Sequence, residues 1–186
     1  MLIGKPNPWG IKAWCTADPH SGYMLDFLVT MYLGCVTEPV PHGMGYHVMK
    51  MAERFVGKAH HLLFNNFFSS VQLGQDLEKR GAYICSTVCL NQKGWPKGLN
   101  AAKAKKMKMG DMHFLKNGNM VATLWKDKRP LTVLSTNAQP EKGTAERKAP
   151  GRKKLVTVLK SILTYNNSIG GVIWWTRCIT TTIKWW

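Results

Sequence analysis

Acidic residues are scarce in this sequence: 186 residues hold 10 Asp and Glu against 26 Lys and Arg, a formal net charge of +16. The shortage is local. Residues 1–92 carry 7 basic and 6 acidic side chains, residues 93–160 carry 17 and 4, and the remainder adds only Arg177 and Lys184. A one-sided basic segment of this size is either a solvated stretch or a surface for a polyanion, of which nucleic acid is the usual one. Cysteine is sparse and unpatterned. Cys15, Cys35, Cys85, Cys89 and Cys178 are odd in number and contain no CxxC pair, which favours core thiols in a reducing compartment over metal ligands. Cys85 and Cys89 fall in one strand-like run, at a spacing that puts both on one face. Long apolar runs are missing too. The opening MLIGKPNPWG has no signal core. GVIWWTRCITTTIKWW (171–186) is short and interrupted by Arg177 and Lys184, a poor membrane span. The expectation is a nuclear or cytoplasmic protein without a membrane segment.

What is present is enough for one domain with a core, since 45% of the residues are hydrophobic. GIKAWCTAD (10–18) reads as a strand ending at Asp18, with Ile11 and Trp14 available for burial. PHSG (19–22) turns, and 22–32 returns as a second strand. Residues 34–45 are punctuated by Pro and Gly and read as a loop. In 46–57, Val48, Met51, Ala52 and Phe55 share a helical face. HHLLFNN (60–66) is a third strand. Ser69 and Gln72 form a capping box before a helix running to Arg80 and closed by Gly81. AYICSTVCL (82–90) is a fourth strand. Residues 91–110 form a basic loop or frayed helix. Residues 111–137 hold three strands, turned at Asn117-Gly118 and at KDKRP (126–130). QPEKGTAERKAPGRKK (139–154) reads as a polar, basic linker, and 155–172 resumes apolar character. This order is mixed α/β, with helix-linked strands pairing parallel beside an antiparallel hairpin.

The motifs then become specific. GIKAWCTADPHSGYMLDF resembles the first core segment of piggyBac-type transposases and their domesticated derivatives. GMGYHVMKMAERFVGKAHHLLFNNFFSSVQLGQDLEKRGAYICSTV resembles the next, in which a strand ends in D-N-[FW]-[FW]-[TS]-S before a helix. NQKGWPKGL, MVATLWKDKRPLTVLSTN and YNNSIGGV continue the likeness to about Val172. The resemblance implies a ribonuclease H-like mixed sheet flanked by helices. It divides the chain into a first core part (1–90), a basic β-rich insertion and linker (91–154), and a remnant of the last core helix with a divergent tail (155–186).

That family cuts and joins DNA with divalent metal ions held by aspartates. Phosphodiester chemistry needs a metal on both the attacking and the leaving oxygen, and magnesium requires oxygen ligands, chiefly carboxylates. Position by position, the family's first aspartate falls on Asp18. The second falls on Asn65, which keeps the shape of Asp without its charge, and Asn66 matches the family's Asn. The third falls on Ile173, and a further one on Thr176. Asp26, Asp76, Glu53 and Glu78 are the other nearby acids and match no family role. His60-His61 matches a family dipeptide, of which at least one member should face the core. The resemblance therefore implies a truncated, degenerate and inactive core. Asp18 is its only retained aspartate, with weak or no metal binding, and no cofactor is expected where the ancestral family uses Mg2+. Lys93, Lys97, Lys103, Lys105, Lys106, Lys108, Lys153 and Lys154 would give residual, non-specific DNA contacts. No protein partner can be named. The alternatives are a domesticated interaction scaffold and, third, an active strand-transfer enzyme with other carboxylates beside Asp18.

The tail 173–182 departs abruptly from the likeness. Trp174-Trp175 fixes the codons TGGTGG. With ATT, ACC, AGA, TGC and ATC at Ile173, Thr176, Arg177, Cys178 and Ile179 and a preceding G, the neighbouring frame reads D-L-V-D-Q-M-H, which resembles the family's helix. On those assumed codons, one base lost after Val172 would account for the change. The β-branched Ile and Thr residues put there suit a helix poorly.

Overall fold

A computed structural model of the chain describes residues 12–30, 45–136, 139–149 and 152–169. It opens on an antiparallel pair, β1 (Lys12–Ala17) and β2 (Met24–Thr30). Helix α1 (Gly45–Ala52) leads to β3 (His61–Phe64), α2 (Val71–Lys79) and β4 (Tyr83–Thr87). A 3-10 turn at Lys97–Leu99 and the short α3 (Ala101–Lys106) precede β5 (Met112–Asn117), β6 (Met120–Lys126) and β7 (Pro130–Thr136). The strands β8 (Lys142–Ala149) and β9 (Arg152–Leu159) and helix α4 (Lys160–Ser168) follow.

Five strands form one mixed sheet in the order β3-β4-β7-β6-β5, parallel between β3 and β4 and antiparallel elsewhere. Its central strands are buried on both faces, so they read as continuous rather than alternating apolar runs. Neighbouring residues point to opposite sides. Ile84, Leu124 and Leu134 join Leu73 and Leu77 of α2 and Ala104 of α3 in one cluster. Cys85, Trp125 and Val133 join Val158, Leu159, Ile162 and Tyr165 in another. The sheet is thus covered by α2 and α3 on one face and by α4 with the base of the β8–β9 hairpin on the other. Leu73 and Leu77 are fully buried, each contributing roughly 1.5–3 kcal/mol by leaving water. Helix α2 lies close to the sheet because Gly74 has no side chain: a Cβ there would stand 2.8 Å from Ile84 Cδ1. Gly81, with φ of 74°, ends the helix as its position predicts.

Four expectations need correction. The β1–β2 pair forms its own two-stranded sheet instead of extending the larger one, and β7 takes the place beside β4. It docks through side chains: Trp14 stacks on His47 at 4.6 Å and meets Phe68 edge-on at 5.2 Å, and Arg54 pairs with Asp26 at 3.3 Å. The stretch 139–154 holds strand rather than linker, since Lys142 to Ala149 pair antiparallel with Leu159 to Arg152. Its alternation of small, polar and β-branched residues was masked by its charge. Ser70, not Ser69, caps α2, accepting from Leu73 N at 3.0 Å. Ser69 is buried, its hydroxyl 2.8 Å from that of Ser86. Neither His60 nor His61 faces the core; both are exposed and lie edge-on to Phe55 and Tyr83. The loop expected at 34–45 (apart from Gly45), Ile11 and the tail from Gly170 lie outside the described residues.

Strand directions decide what the sheet presents at each end. β3 and β4 run together, β7 runs against β4, and β6 runs against β7. The C-terminal ends of β3, β4 and β6 therefore share one end of the sheet. Helix α2 leads back to the other end, where Lys58, Lys79 and Arg80 precede β3 and β4.

Candidate functional site

Asp18 follows β1 directly. One of its carboxylate oxygens accepts from both the backbone N–H, at 2.8 Å, and the hydroxyl of Ser21. The Ser21 hydroxyl first, and then its N–H, hold the carboxyl below its ordinary 3.8. The turn closes with Gly22 N donating to Asp18 O and Asp18 N donating to Tyr23 O.

Asn65 follows β3 directly and is exposed. Its Oδ1 accepts from Phe67 N at 3.1 Å, and its carbonyl accepts from Phe68 N at 3.2 Å. This tight turn aims Phe67 and Phe68 at Trp14, which brings β1 over the end of β3. Asn66 reaches the next loop, its Nδ2 standing 3.3 Å from Cys89 Sγ. Cys89 lies past the end of β4 and is exposed, so it is not the core thiol its spacing suggested. Cys85 is one, and burial pushes its thiol up to about 12. Ile173 and Thr176 lie outside the described residues.

These groups fit a magnesium site poorly. Asp18 and Asn65 each spend an oxygen on a local turn, and an amide oxygen cannot offset a dication's charge. Among the described residues, no three His, Cys, Asp or Glu side chains are grouped to hold a metal. Asp26, the acid nearest Asp18 in sheet register, opposite Thr16, is paired with Arg54. Asp76 accepts from Gln72 at 3.1 Å, and Glu53 pairs with Lys50 at 3.3 Å.

The same end of the sheet is basic. Lys93 and Lys97 flank Trp95, which anchors the loop after β4 by burying its ring and donating Nε1–H to Leu99 O at 2.8 Å. Asn100 caps α3 by accepting from Lys103 N at 2.8 Å. Ala104 and Met107 face the core, which leaves Lys105, Lys106 and Lys108 exposed and Lys103 half-buried. Gly110 N donates to Lys126 O at 2.8 Å, and Lys126 N donates to Asp111 O at 2.9 Å. Those two bonds bring Lys108 beside the β6–β7 turn, where Lys128 and Arg129 are exposed. Lys126, Lys128 and Arg129 were missed as site residues because KDKRP registered only as a turn. Strand direction puts them, with Lys108, at the end where Asn65 stands, and Lys93 is beside it because Gly94 abuts Val71 at the start of α2, whereas the turn after Lys97 lies against Leu115 of β5. From β3 to β6 the sheet spans three strand spacings, about 14 Å. Lys153 and Lys154 lie elsewhere, on β9 opposite Lys148 and Arg147.

A family model described as transposase IS4 matches residues 1–179. The human piggyBac transposable element-derived protein 3 is 29% identical, over 92% of this chain and 30% of its own length. The human chimeric ERCC6-PGBD3 protein is 29% identical over 92% of this chain and 17% of its length. The chain thus spans under a third of each of these relatives. A cryo-EM structure of a piggyBac transposase synaptic complex with hairpin DNA shares the fold, with a TM-score of 0.73 and 22% identity, over 96% of this chain and 36% of that one. No described helix is long and apolar enough to cross a membrane.

Proposed function

The chain belongs to the transposase IS4 family and is related to piggyBac elements, and on that premise we propose that it binds DNA without sequence preference and no longer cuts or joins it. One observation carries this reading. The sheet end that holds Asn65, where the family likeness expects an aspartate, is lined by Lys93, Lys108, Lys126, Lys128 and Arg129. Such an end carries five cations against the neighbouring acids Asp111 and Asp127, and among the described residues it groups no three side chains to hold a metal. Two dications near a phosphodiester require several fixed negative charges. Asp18 supplies one, Asn65 supplies none, and Ile173 offers only hydrocarbon.

The reading is tested by two measurements on the same preparation. Binding of a duplex DNA, followed by gel shift, is expected to weaken steeply with salt, because each phosphate contact releases counterions. Titration with magnesium or manganese by calorimetry is expected to give millimolar binding or none. Submillimolar metal binding, or metal-dependent plasmid cleavage abolished by Asp18→Ala, would sink the inactive part. Salt-independent DNA binding would sink the other.

A second reading, a domesticated interaction scaffold, draws on Tyr23, Leu25 and Phe27. Tyr23 precedes β2 and Leu25 and Phe27 alternate along it, and the three are 71%, 45% and 58% exposed. A partner recovered reproducibly with the intact chain and lost with Leu25→Asp would favour it.

A further inference from the structure

At the end of the sheet away from Asn65, a cavity of about 150 Å³ lies between the first turn of α4 and the strands β3, β4 and β7. β3 begins there at His61, β4 begins at Tyr83, and β7 ends at Thr136. Polar side chains line much of it: Ser135 and Thr136 of β7, His61 of β3, and Lys160, Ser161 and Thr164 of α4. The space holds several waters, and so one tetrahedral oxyanion.

Two independent features of this cavity call for a ligand with acceptor oxygens. The first is Ser135. It is 2% exposed, it lines the cavity, and its Oγ has no hydrogen-bond partner. A buried hydroxyl left so is destabilising, and native structures rarely keep one. Its neighbours are committed elsewhere. Cys85, opposite it in register, donates to Ser161 O at 3.2 Å, and Thr136 Oγ1 accepts from Ile84 N at 2.9 Å.

The second is the start of α4. This nine-residue helix has Leu159 at its N-cap, which has no side-chain oxygen to accept from the first turn. The N–H of Lys160 donates to Glu141 O at 2.8 Å. Those of Ser161 and Ile162 belong to the same first turn and have no capping side chain. An uncapped helix start favours an anion, through its free N–H groups and the positive end of the helix dipole. At the rim, Lys160 and Thr164 stand one turn apart and are exposed. Lys160 is paired with the Glu141 carboxylate, so the rim carries one charge of each sign.

We infer that this cavity binds a small oxyanion of the phosphate class, with the Ser135 hydroxyl, the first turn of α4 and Lys160 as its donors. The cavity and the basic cluster stand at opposite ends of the sheet, so this site is independent of the DNA-binding reading.

The test is calorimetry of the full chain with inorganic phosphate, which is expected to show a saturable site. Ser135→Ala should weaken it about tenfold or more, the scale of a hydrogen bond to a charged group. The urea midpoint should not fall, because that hydroxyl has no internal bond to lose. Glu141→Gln, at an exposed position, should strengthen binding about threefold by freeing Lys160. No saturable binding, unchanged affinity or a lowered urea midpoint in Ser135→Ala, or weaker binding in Glu141→Gln overturns the inference. Competition separates the sources of the phosphate. Displacement by a 5′-phosphorylated oligonucleotide, and not by its 5′-hydroxyl counterpart, identifies a nucleic-acid end as the ligand. Displacement by neither supports the free ion. Displacement by both overturns the inference, since the phosphate would then sit on the DNA surface.

Discussion

Removing the cations at the C-terminal end of the sheet gives the sharpest test of where DNA sits. The perturbation is K108A/K126A/K128A/R129A. All four residues are on the loop and turn stapled together by the Gly110–Lys126 and Lys126–Asp111 backbone bonds. None of the four is buried, so their loss leaves the core intact. With about 0.9 of slope per phosphate contact, four contacts account for about 3.6. Between 50 and 200 mM salt each contact then changes affinity about 3.5-fold, and four change it about 150-fold. The unaltered chain should therefore lose affinity about two orders of magnitude more than the variant across that range. Fluorescence anisotropy with a labelled duplex reads the two slopes directly. The control is K58A/K79A/R80A, which removes exposed cations from the opposite end of the sheet. It should leave the slope unchanged. Equal effects of the two variants would refute the placement, because the charge would then act as a diffuse cloud rather than at one end.

Ser70→Ala should lower stability by about 1 kcal/mol, the usual value of an N-cap, in urea denaturation. Ser69→Ala should lower it by about 1–3 kcal/mol through the stranded Ser86 hydroxyl, whereas a role as helix cap would leave Ser70→Ala silent. The Asp18 carboxyl, observed by NMR, should titrate below 3.8, and Ser21→Ala should move it up. Its depressed value means that the turn's stabilisation is present above 3.8 and is lost as pH falls through the lowered value. A midpoint at or above the ordinary value would contradict the Ser21 geometry. Cys89 should react with a thiol reagent at pH 8 well before Cys85, whose thiol is held near 12 by burial. Equal labelling rates would mean that the core opens. Reading the coding DNA should give ATT, ACC, AGA, TGC and ATC at Ile173, Thr176, Arg177, Cys178 and Ile179; other codons rule out the lost base.

The elements that sequence marked well are those whose signals are local. The β3-α2-β4 run declared itself through apolar strand segments, and Gly81 marked the end of the helix. The three strands after Asp111 followed from Asn117-Gly118 and KDKRP. Errors arose where two local signals competed. Ser69 and Ser70 are adjacent and chemically equal, and only burial beneath Ser86 decides which one caps the helix. In 139–154, eight consecutive register pairs were hidden by lysines and arginines that weigh against a strand. The Cys85–Cys89 spacing suggested one face of one strand, but β4 ends at Thr87 before the second thiol.

The sequence by itself determined the charge asymmetry, the family likeness and the presence of Asn65 and Ile173 where that likeness expects aspartates. These are matters of residue identity and need no coordinates. Only the tertiary structure decided that Asn65 and the KDKRP turn share one end of a sheet. Their separation of some sixty positions says nothing of space until β4, β7 and β6 pair in that order and sense. The structure also made a ribbon of what reads as a linker, because cross-strand register is a property of two segments at once. Side-chain chemistry is written residue by residue, whereas the field those side chains make depends on strand direction, which long-range pairing sets.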